Sequence, residues 1–93
     1  INHSKLDLYF DELRKKNIEN AIDILFKLWH EGYNVMDILD AIFSYVKLTP
    51  NISEQIKYEL IKYLCKFITI FHEVHEDEIE LAMFTNNIIH LFE

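Results

Sequence analysis

LWHEGYNVMDILDAIFSYVK, residues 28–47, is the stretch that decides the fold. Gly32 stands where a left-handed residue ends a helix, so the helix before it is predicted to stop there. Asn34 follows as the N-cap of the next helix, and Asp37 lies in its first turn. From Ile38 onward apolar residues recur every three to four positions, which is the period of a helix with one buried face. The stretch therefore predicts two helices joined by a tight turn.

The same start and stop signals divide the rest of the sequence into helices, five in all. One glycine and one proline leave few of the turns that a sheet needs. The predicted fold class is all-α, a single five-helix, bundle-like domain over residues 1–93. Each of the first four helices follows a polar residue whose side chain can accept a hydrogen bond from the helix backbone. These predicted N-caps are Ser4, Asn17, Asn34 and Ser53.

The boundary between the last two helices is the least marked, because no glycine or proline occurs between Ser53 and His75. Polarity alone places the turn at residues 72–76. Asp77, with Glu80 three positions later, has the pattern of a capping box, which predicts a last helix over residues 78–92.

Apolar residues are more abundant than a small domain can bury. Of 93 residues, 51% are hydrophobic and 14% are aromatic, and a chain of this length has a small interior. We therefore expect some apolar helix surface to contact a partner. The residues predicted for the core are Leu25, Trp29, Ile38, Ile42, Leu60 and Leu64. The residues predicted for a subunit interface, from their positions in secondary stripes, are Phe43, Tyr45, Phe67, Ile70, Phe84 and Ile88.

The last helix illustrates the surplus, since it carries two apolar stripes. Ile79 and Met83 belong to one, and Leu81, Phe84 and Ile88 to the other. A helix at the margin of a small domain needs one such stripe, so the second indicates a partner surface. The alternative is that this helix is central and buries both.

Nucleic-acid and nucleotide sites are not expected in this chain. The net charge is −7 and the nine basic residues are scattered, whereas phosphate binding depends on clustered lysine and arginine. A phosphate-binding loop needs several glycines, and the chain has one. No run of apolar residues is long enough to suggest a membrane span.

No catalytic or metal site is expected either. Cys65 is predicted to be a packed thiol on an apolar helix face, and as the single cysteine it indicates a reducing, intracellular setting. His72 and His75 are three residues apart, whereas the zinc-protease helix needs a spacing of four. A zinc site would need Glu76 or another carboxylate as well, so a polar turn is the better interpretation.

The central stretch resembles the C-terminal collar domain of the small subunits of replication factor C, the pentameric clamp loader of eukaryotes and archaea. In that family a Leu-Trp pair ends one helix, Gly-Tyr forms the turn, and Asp-Ile opens the next helix. Residues 57–62, KYELIK, are similar to the family's fourth helix, and residues 17–21, NIENA, to the opening of its second. The matching residues of the central stretch are Leu28, Trp29, Gly32, Tyr33, Asp37, Ile38, Ile42, Phe43 and Lys47.

The resemblance implies that the chain is an oligomerisation domain without enzymatic activity, part of an AAA+ ATPase subunit. The ATPase and lid domains, with their ATP and magnesium, would precede Ile1. The implied partners are the other replication factor C subunits through the collar, and the sliding clamp and primer–template DNA through the parent complex. A nuclear location follows, with no membrane contact. Two alternatives remain, namely a small helical adaptor that binds a partner helix or peptide, and a histidine-based metal site.

Overall fold

The computed structural model describes the backbone of residues 1–73 and 79–92, and the side chains of these residues except 70–73. The described residues form five α-helices and no strand, which confirms the all-α prediction. The helices are α1 (His3–Arg14), α2 (Ile18–His30), α3 (Val35–Leu48), α4 (Glu54–Glu73) and α5 (Ile79–Ile88), followed by a 3₁₀ turn, Ile89–Leu91.

Three of the four predicted N-caps are confirmed. The side-chain oxygen of Asn17 accepts a hydrogen bond from the Asn20 amide at 3.3 Å, and that of Asn34 accepts one from Asp37 at 2.8 Å. The Ser53 hydroxyl accepts one from the Ile56 amide at 3.4 Å. Each bond satisfies an amide that the first turn of a helix leaves without a partner.

The predicted cap of α1 is wrong by two residues. Asn2, not Ser4, precedes the helix, and its Oδ1 accepts hydrogen bonds from both the amide and the hydroxyl of Ser4 at 2.9 Å. Asn2 is extended, with φ −73° and ψ 132°, which lets its side chain turn back over the first turn. Ser4 therefore donates where the sequence predicted that it would accept.

The connection between α2 and α3 is the tight turn that the sequence predicts. Gly32 has φ 108°, a left-handed conformation that glycine adopts without steric cost. Its amide donates to the carbonyl of Trp29 at 3.1 Å, and the amide of Tyr33 donates to that of Leu28 at 3.2 Å. These bonds satisfy carbonyl groups at the end of α2.

The end of α4 differs from the prediction. The helix continues to Glu73, so it extends into the predicted turn at 72–76. Asp77 and the predicted capping box lie outside the described residues. The last helix is regular to Ile88 and tightens into the 3₁₀ turn before Phe92, so it ends earlier than residue 92.

The helices surround one apolar core. α1 packs on α2 and α3 on α4, while α5 lies against both α2 and α4. α3 also contacts α1 and α2, so each helix buries one face. Among the helices that the structure describes, none has both the length and the apolarity needed to span a bilayer.

The core contains five of the six residues predicted for it, all fully buried: Leu25, Ile38, Ile42, Leu60 and Leu64. Trp29 is half-buried instead. The buried line of α2 consists of Ala21, Leu25 and Leu28, and Trp29 lies beside that line, at the edge of the core. A side chain as large as an indole is seldom covered completely at such a position.

Candidate interaction surfaces

Most of the residues predicted for a subunit interface lie inside the domain. Four of them are at most 4% exposed, namely Tyr45, Phe67, Phe84 and Ile88. Phe43 is half-buried, and the side chain of Ile70 lies outside the described residues. A buried side chain cannot contact another subunit while the domain is folded. The four buried residues therefore hold this domain together, and an interface has to use other side chains.

Aromatic contacts explain why these residues are buried. The ring of Tyr45 stacks on that of Phe10, with centroids 5.1 Å apart and planes 9° from parallel. The rings of Phe67 and Phe84 meet edge to face at 5.6 Å, which joins α4 to α5. Such pairs add to the free energy of burial. The sequence placed these rings in secondary stripes, but each secondary stripe faces a neighbouring helix.

The two apolar stripes of α5 have the opposite roles to those predicted. Leu81, Phe84 and Ile88 are fully buried, because α5 packs against both α2 and α4. Ile79 and Met83 are 57% and 49% exposed. One helical turn separates this exposed pair, so both side chains lie on the same face. We call Ile79 and Met83 the α5 stripe.

A groove between α1 and α2 forms a second apolar surface. It has a volume of about 250 Å³ and is lined by Ser4, Lys5, Leu8, Ile24 and Lys27. Leu8 is 57% exposed and Ile24 is half-buried. Lys5 lies 3.4 Å from a carboxylate oxygen of Glu31. We call this surface the α1–α2 groove.

One aromatic ring on α3, half-buried, and one on α4, exposed, each lie beside a lysine one turn further along the helix. The Lys47 ammonium lies 5.3 Å from the ring centre of Phe43, and that of Lys62 lies 5.2 Å from the ring centre of Tyr58. Both are cation–π distances. Tyr58 is still 64% exposed, so its ring remains available to a partner.

A more polar cleft of about 220 Å³ lies where the start of α1 meets the end of α3. His3 and Asp7 line it from α1, Tyr45 and Leu48 from α3, and residues 49–51 close it. The Tyr45 hydroxyl donates a hydrogen bond to Oδ1 of Asp7, and the His3 ring meets the Tyr45 ring edge to face at 5.6 Å. We call this surface the Asp7 cleft.

The electrostatics of the Asp7 cleft keep Tyr45 protonated. Burial raises the pKa of Tyr45, and the hydrogen bond to Asp7 and its negative charge raise it further, while a hydrogen bond with Thr49 and the charge of Arg14 oppose the change. Tyr45 is therefore a fixed donor that orients the Asp7 carboxylate.

No group of three His, Cys, Asp or Glu residues in the described part of the chain is placed to hold a metal ion. His75 and Glu76 lie outside that part, as does the side chain of His72. Cys65 is exposed on α4, so the prediction of a packed thiol is wrong. It lies off the buried line of Leu60, Leu64 and Phe67.

Several surface residues were missed at the sequence level, although some had a signal. Leu8 lies outside the buried stripe of α1, and an apolar residue off the stripe marks exposed surface. Leu48, which is 74% exposed, lies at the very end of α3. The pairing of Asp7 with Tyr45 had no sequence signal, because 38 positions separate the two residues.

Comparison with known proteins shows what the chain is similar to. Residues 1–69 match the family described as the replication factor C C-terminal domain. A probable replication factor C subunit 2 from Dictyostelium discoideum is 42% identical over 48 residues, which are 52% of this chain and 14% of that protein. The chain therefore matches only a small part of the length of this curated relative. No solved structure matches the chain.

Proposed function

The chain belongs to the replication factor C C-terminal domain family, and we propose that it holds a clamp-loader subunit in place among its neighbours. The match over residues 1–69 is the observation that carries the proposal. In this proposal the domain is one member of a collar, a ring of such domains from the small subunits and their partners. Its partners are the other replication factor C subunits.

The apolar surfaces of the domain support this role. A subunit in a ring contacts two neighbours through two different patches, because head-to-tail contacts are heterologous. The α5 stripe and the α1–α2 groove are two such patches. The stripe lies on α5 and the groove between α1 and α2, and both α1 and α5 pack on α2. The groove lies within the residues that match the family, and the α5 stripe lies beyond them.

In this proposal, the ATP-dependent loading of the sliding clamp is carried out by parts of the subunit other than this chain. ATP and magnesium would be bound by AAA+ domains, which would make the parent protein an ATPase while this domain has no enzymatic role. The sliding clamp and primer–template DNA would be reached through the assembled complex. A nuclear location belongs to the same proposal.

Substitution in the α5 stripe tests the role in assembly. We expect Ile79→Glu with Met83→Glu to weaken binding to the purified remaining clamp-loader subunits at least tenfold, which corresponds to about 1.4 kcal/mol. A carboxylate in an apolar contact loses its water without gaining a partner. Size-exclusion chromatography with light scattering measures the association.

Ser44→Glu is the matched control, because Ser44 is exposed on α3 and the change also adds a negative charge. It should leave binding unchanged. If the unaltered chain does not associate with other clamp-loader subunits, the proposed function is wrong. If it associates and the α5 variant does so equally well, the assembly role stands and the assignment of the α5 stripe is wrong.

An adaptor role is the second candidate, and the α1–α2 groove is the feature that favours it. Leu8 and Ile24 would receive the apolar face of a single helix, which is how helix-binding grooves work. Leu8→Glu distinguishes the two roles. An adaptor would lose binding of an isolated amphipathic helix, whereas a collar domain would lose binding only of intact subunits.

A further inference from the structure

The Asp7 cleft contains a carboxylate that forms no ion pair with the described part of the chain. Asp7 is exposed, and the hydrogen bond from Tyr45 occupies only part of its acceptor capacity. Within residues 1–73 and 79–92, no ion pair of Asp7 is seen. The chain as a whole carries a net charge of −7. A cation entering the cleft would therefore find no ion-pair partner already bound to Asp7 within the described residues.

The nearby basic side chains make their contacts with groups other than the Asp7 carboxylate. Arg14 donates to Oδ1 of Asp11 at 3.0 Å and to the carbonyl of Asn51 at 3.3 Å. Lys47, in the last turn of α3, lies over the ring of Phe43 at 5.3 Å. Neither side chain forms an ion pair with Asp7, although the charge of Arg14 acts on the neighbouring Tyr45 hydroxyl and lowers the pKa of Tyr45.

The end of α3 adds negative potential to the same cleft. The last carbonyl groups of a helix have no partner within the helix and carry the negative end of its dipole. Thr49 caps α3, with its amide already donating to the carbonyl of Tyr45 at 2.9 Å, and Pro50 has no N–H. The opposite wall is the first turn of α1, which carries the positive end of that helix dipole, and its Ser4 amide is satisfied by Asn2 at 2.9 Å. The Asp7 carboxylate and the carbonyl groups at the end of α3 are the parts of the cleft that suit a cation.

The residues that line the cleft favour a cation with a hydrocarbon stem. Leu48 is 74% exposed at the rim, and Pro50 beside it is exposed as well, so both offer apolar surface to a hydrocarbon stem. The volume of about 220 Å³ is below the roughly 300–1,000 Å³ of sites for drug-sized ligands, but it has room for one long side chain. A guanidinium has five donors in a planar fork, which suits a carboxylate together with separate carbonyl groups.

We infer that the Asp7 cleft is a socket for an arginine side chain presented by a partner protein. The guanidinium donates to the Asp7 carboxylate and to carbonyl groups at the end of α3, and its hydrocarbon stem lies against Leu48 and Pro50. The inference depends on the chemistry of the cleft alone. It is therefore tested independently of the proposal that the partners are other clamp-loader subunits.

Titration with a blocked amino acid tests the inference directly. N-acetyl-arginine N-methylamide is added to the ¹⁵N-labelled chain, and amide chemical shifts are followed by NMR. We expect saturable shifts at His3, Asp7, Thr49 and Asn51, and none at the same concentrations of the blocked norleucine analogue, which has a similar stem and no charge. The blocked lysine analogue should bind several-fold more weakly, because an ammonium cannot form the planar fork.

Asp7→Asn is the matched variant, since an asparagine oxygen still accepts the Tyr45 hydrogen bond while the charge is lost. We expect its affinity for the arginine analogue to fall about tenfold, as for loss of one charged hydrogen bond. Asp40→Asn removes the same charge from an exposed site on α3 and should bind like the unaltered chain. Thermal unfolding should show both variants folded.

Three results would overturn the inference. The first is shifts scattered over the surface instead of centred on the cleft. The second is equal binding of the arginine and lysine analogues. The third is equal affinity of the Asp7→Asn and Asp40→Asn variants, because the carboxylate would then have no role.

Discussion

The hydroxyl groups of Tyr9 and Thr85 lie 2.8 Å apart in the core, although 76 positions separate the two residues. Both side chains are fully buried. The Thr85 hydroxyl donates to the carbonyl of Leu81 at 2.9 Å, so its oxygen accepts the hydrogen of Tyr9. This chain of bonds links α1 to α5 and fixes the position of the last helix.

Loss of Thr85 should cost more stability than loss of the Tyr9 hydroxyl. Thr85→Val leaves a buried phenol without an acceptor, which costs about 1–3 kcal/mol. Tyr9→Phe removes the donor but leaves Thr85 bonded to Leu81, so the expected cost is about 0.5–1.5 kcal/mol. Urea unfolding of both variants measures the difference. The double variant should cost less than the sum of the two, and strict additivity would contradict the bond.

Alkaline pH should destabilise the domain through the same residue. Burial raises the pKa of Tyr9 far above its usual value of about 10, despite the hydrogen bond to Thr85 that opposes the change. Below that usual pKa, Tyr9 is protonated whether the chain is folded or unfolded, and its contribution is fully present. Above it, the unfolded chain loses the proton while the folded chain keeps it, so the free energy of unfolding falls as pH rises.

Each such group contributes a slope of about 1.4 kcal/mol per pH unit in that range. Tyr45, whose pKa is raised as well, should add to the slope. Urea unfolding between about pH 8 and 11 measures it, since these values span the usual tyrosine pKa. The Tyr9→Phe variant should show a shallower decline than the unaltered chain, and identical declines would contradict the prediction.

Lys16 adopts a left-handed conformation, with φ 62°, in the turn between α1 and α2. Its ammonium donates to the carbonyl of Ile89 at 2.8 Å, next to the end of α5. Lys16→Ala and Lys16→Gly both remove this bond, but only alanine keeps a Cβ in the strained conformation. We expect the glycine variant to be more stable by about 1 kcal/mol. The midpoints of urea unfolding measure the difference between the two variants. An alanine variant as stable as the glycine variant, or more stable, would contradict the argument.

The sequence predicts those features of the fold that depend on neighbours along the chain. Asn17, Asn34 and Gly32 each act within one helical turn, so their types reveal their roles. The prediction of interface residues required knowledge of which helices contact each other. The spacing of apolar residues along the chain does not give that information. In the sequence, Tyr45 and Phe84 cannot be told from aromatic residues that face outward. Their burial becomes clear only in the fold, where Tyr45 stacks on Phe10 and Phe84 packs against Phe67.

The Asp7 cleft could not be predicted for the same reason. Its walls come from two helix ends that the packing of α1 against α3 brings together. From the sequence alone, Asp7 is interpreted as an ordinary acidic residue on the exposed side of a helix. The α5 stripe was partly predictable, since two apolar faces on one short helix predicted that one would be exposed. Which face is exposed depends on α2 and α4, which pack on the other.

The two stripes of α5 should therefore respond in opposite ways to the same substitution. Phe84→Glu places a carboxylate where the ring is fully buried against Phe67, and a charge there has no partner, so the variant should fail to fold. Met83→Glu changes a residue that is 49% exposed, one position earlier, and should alter the free energy of unfolding by less than about 0.5 kcal/mol. Circular dichroism and urea unfolding distinguish the outcomes. Unfolding of the Met83 variant would mean that the α5 stripe belongs to the core of this domain, and a folded Phe84 variant would mean that the last helix does not complete it.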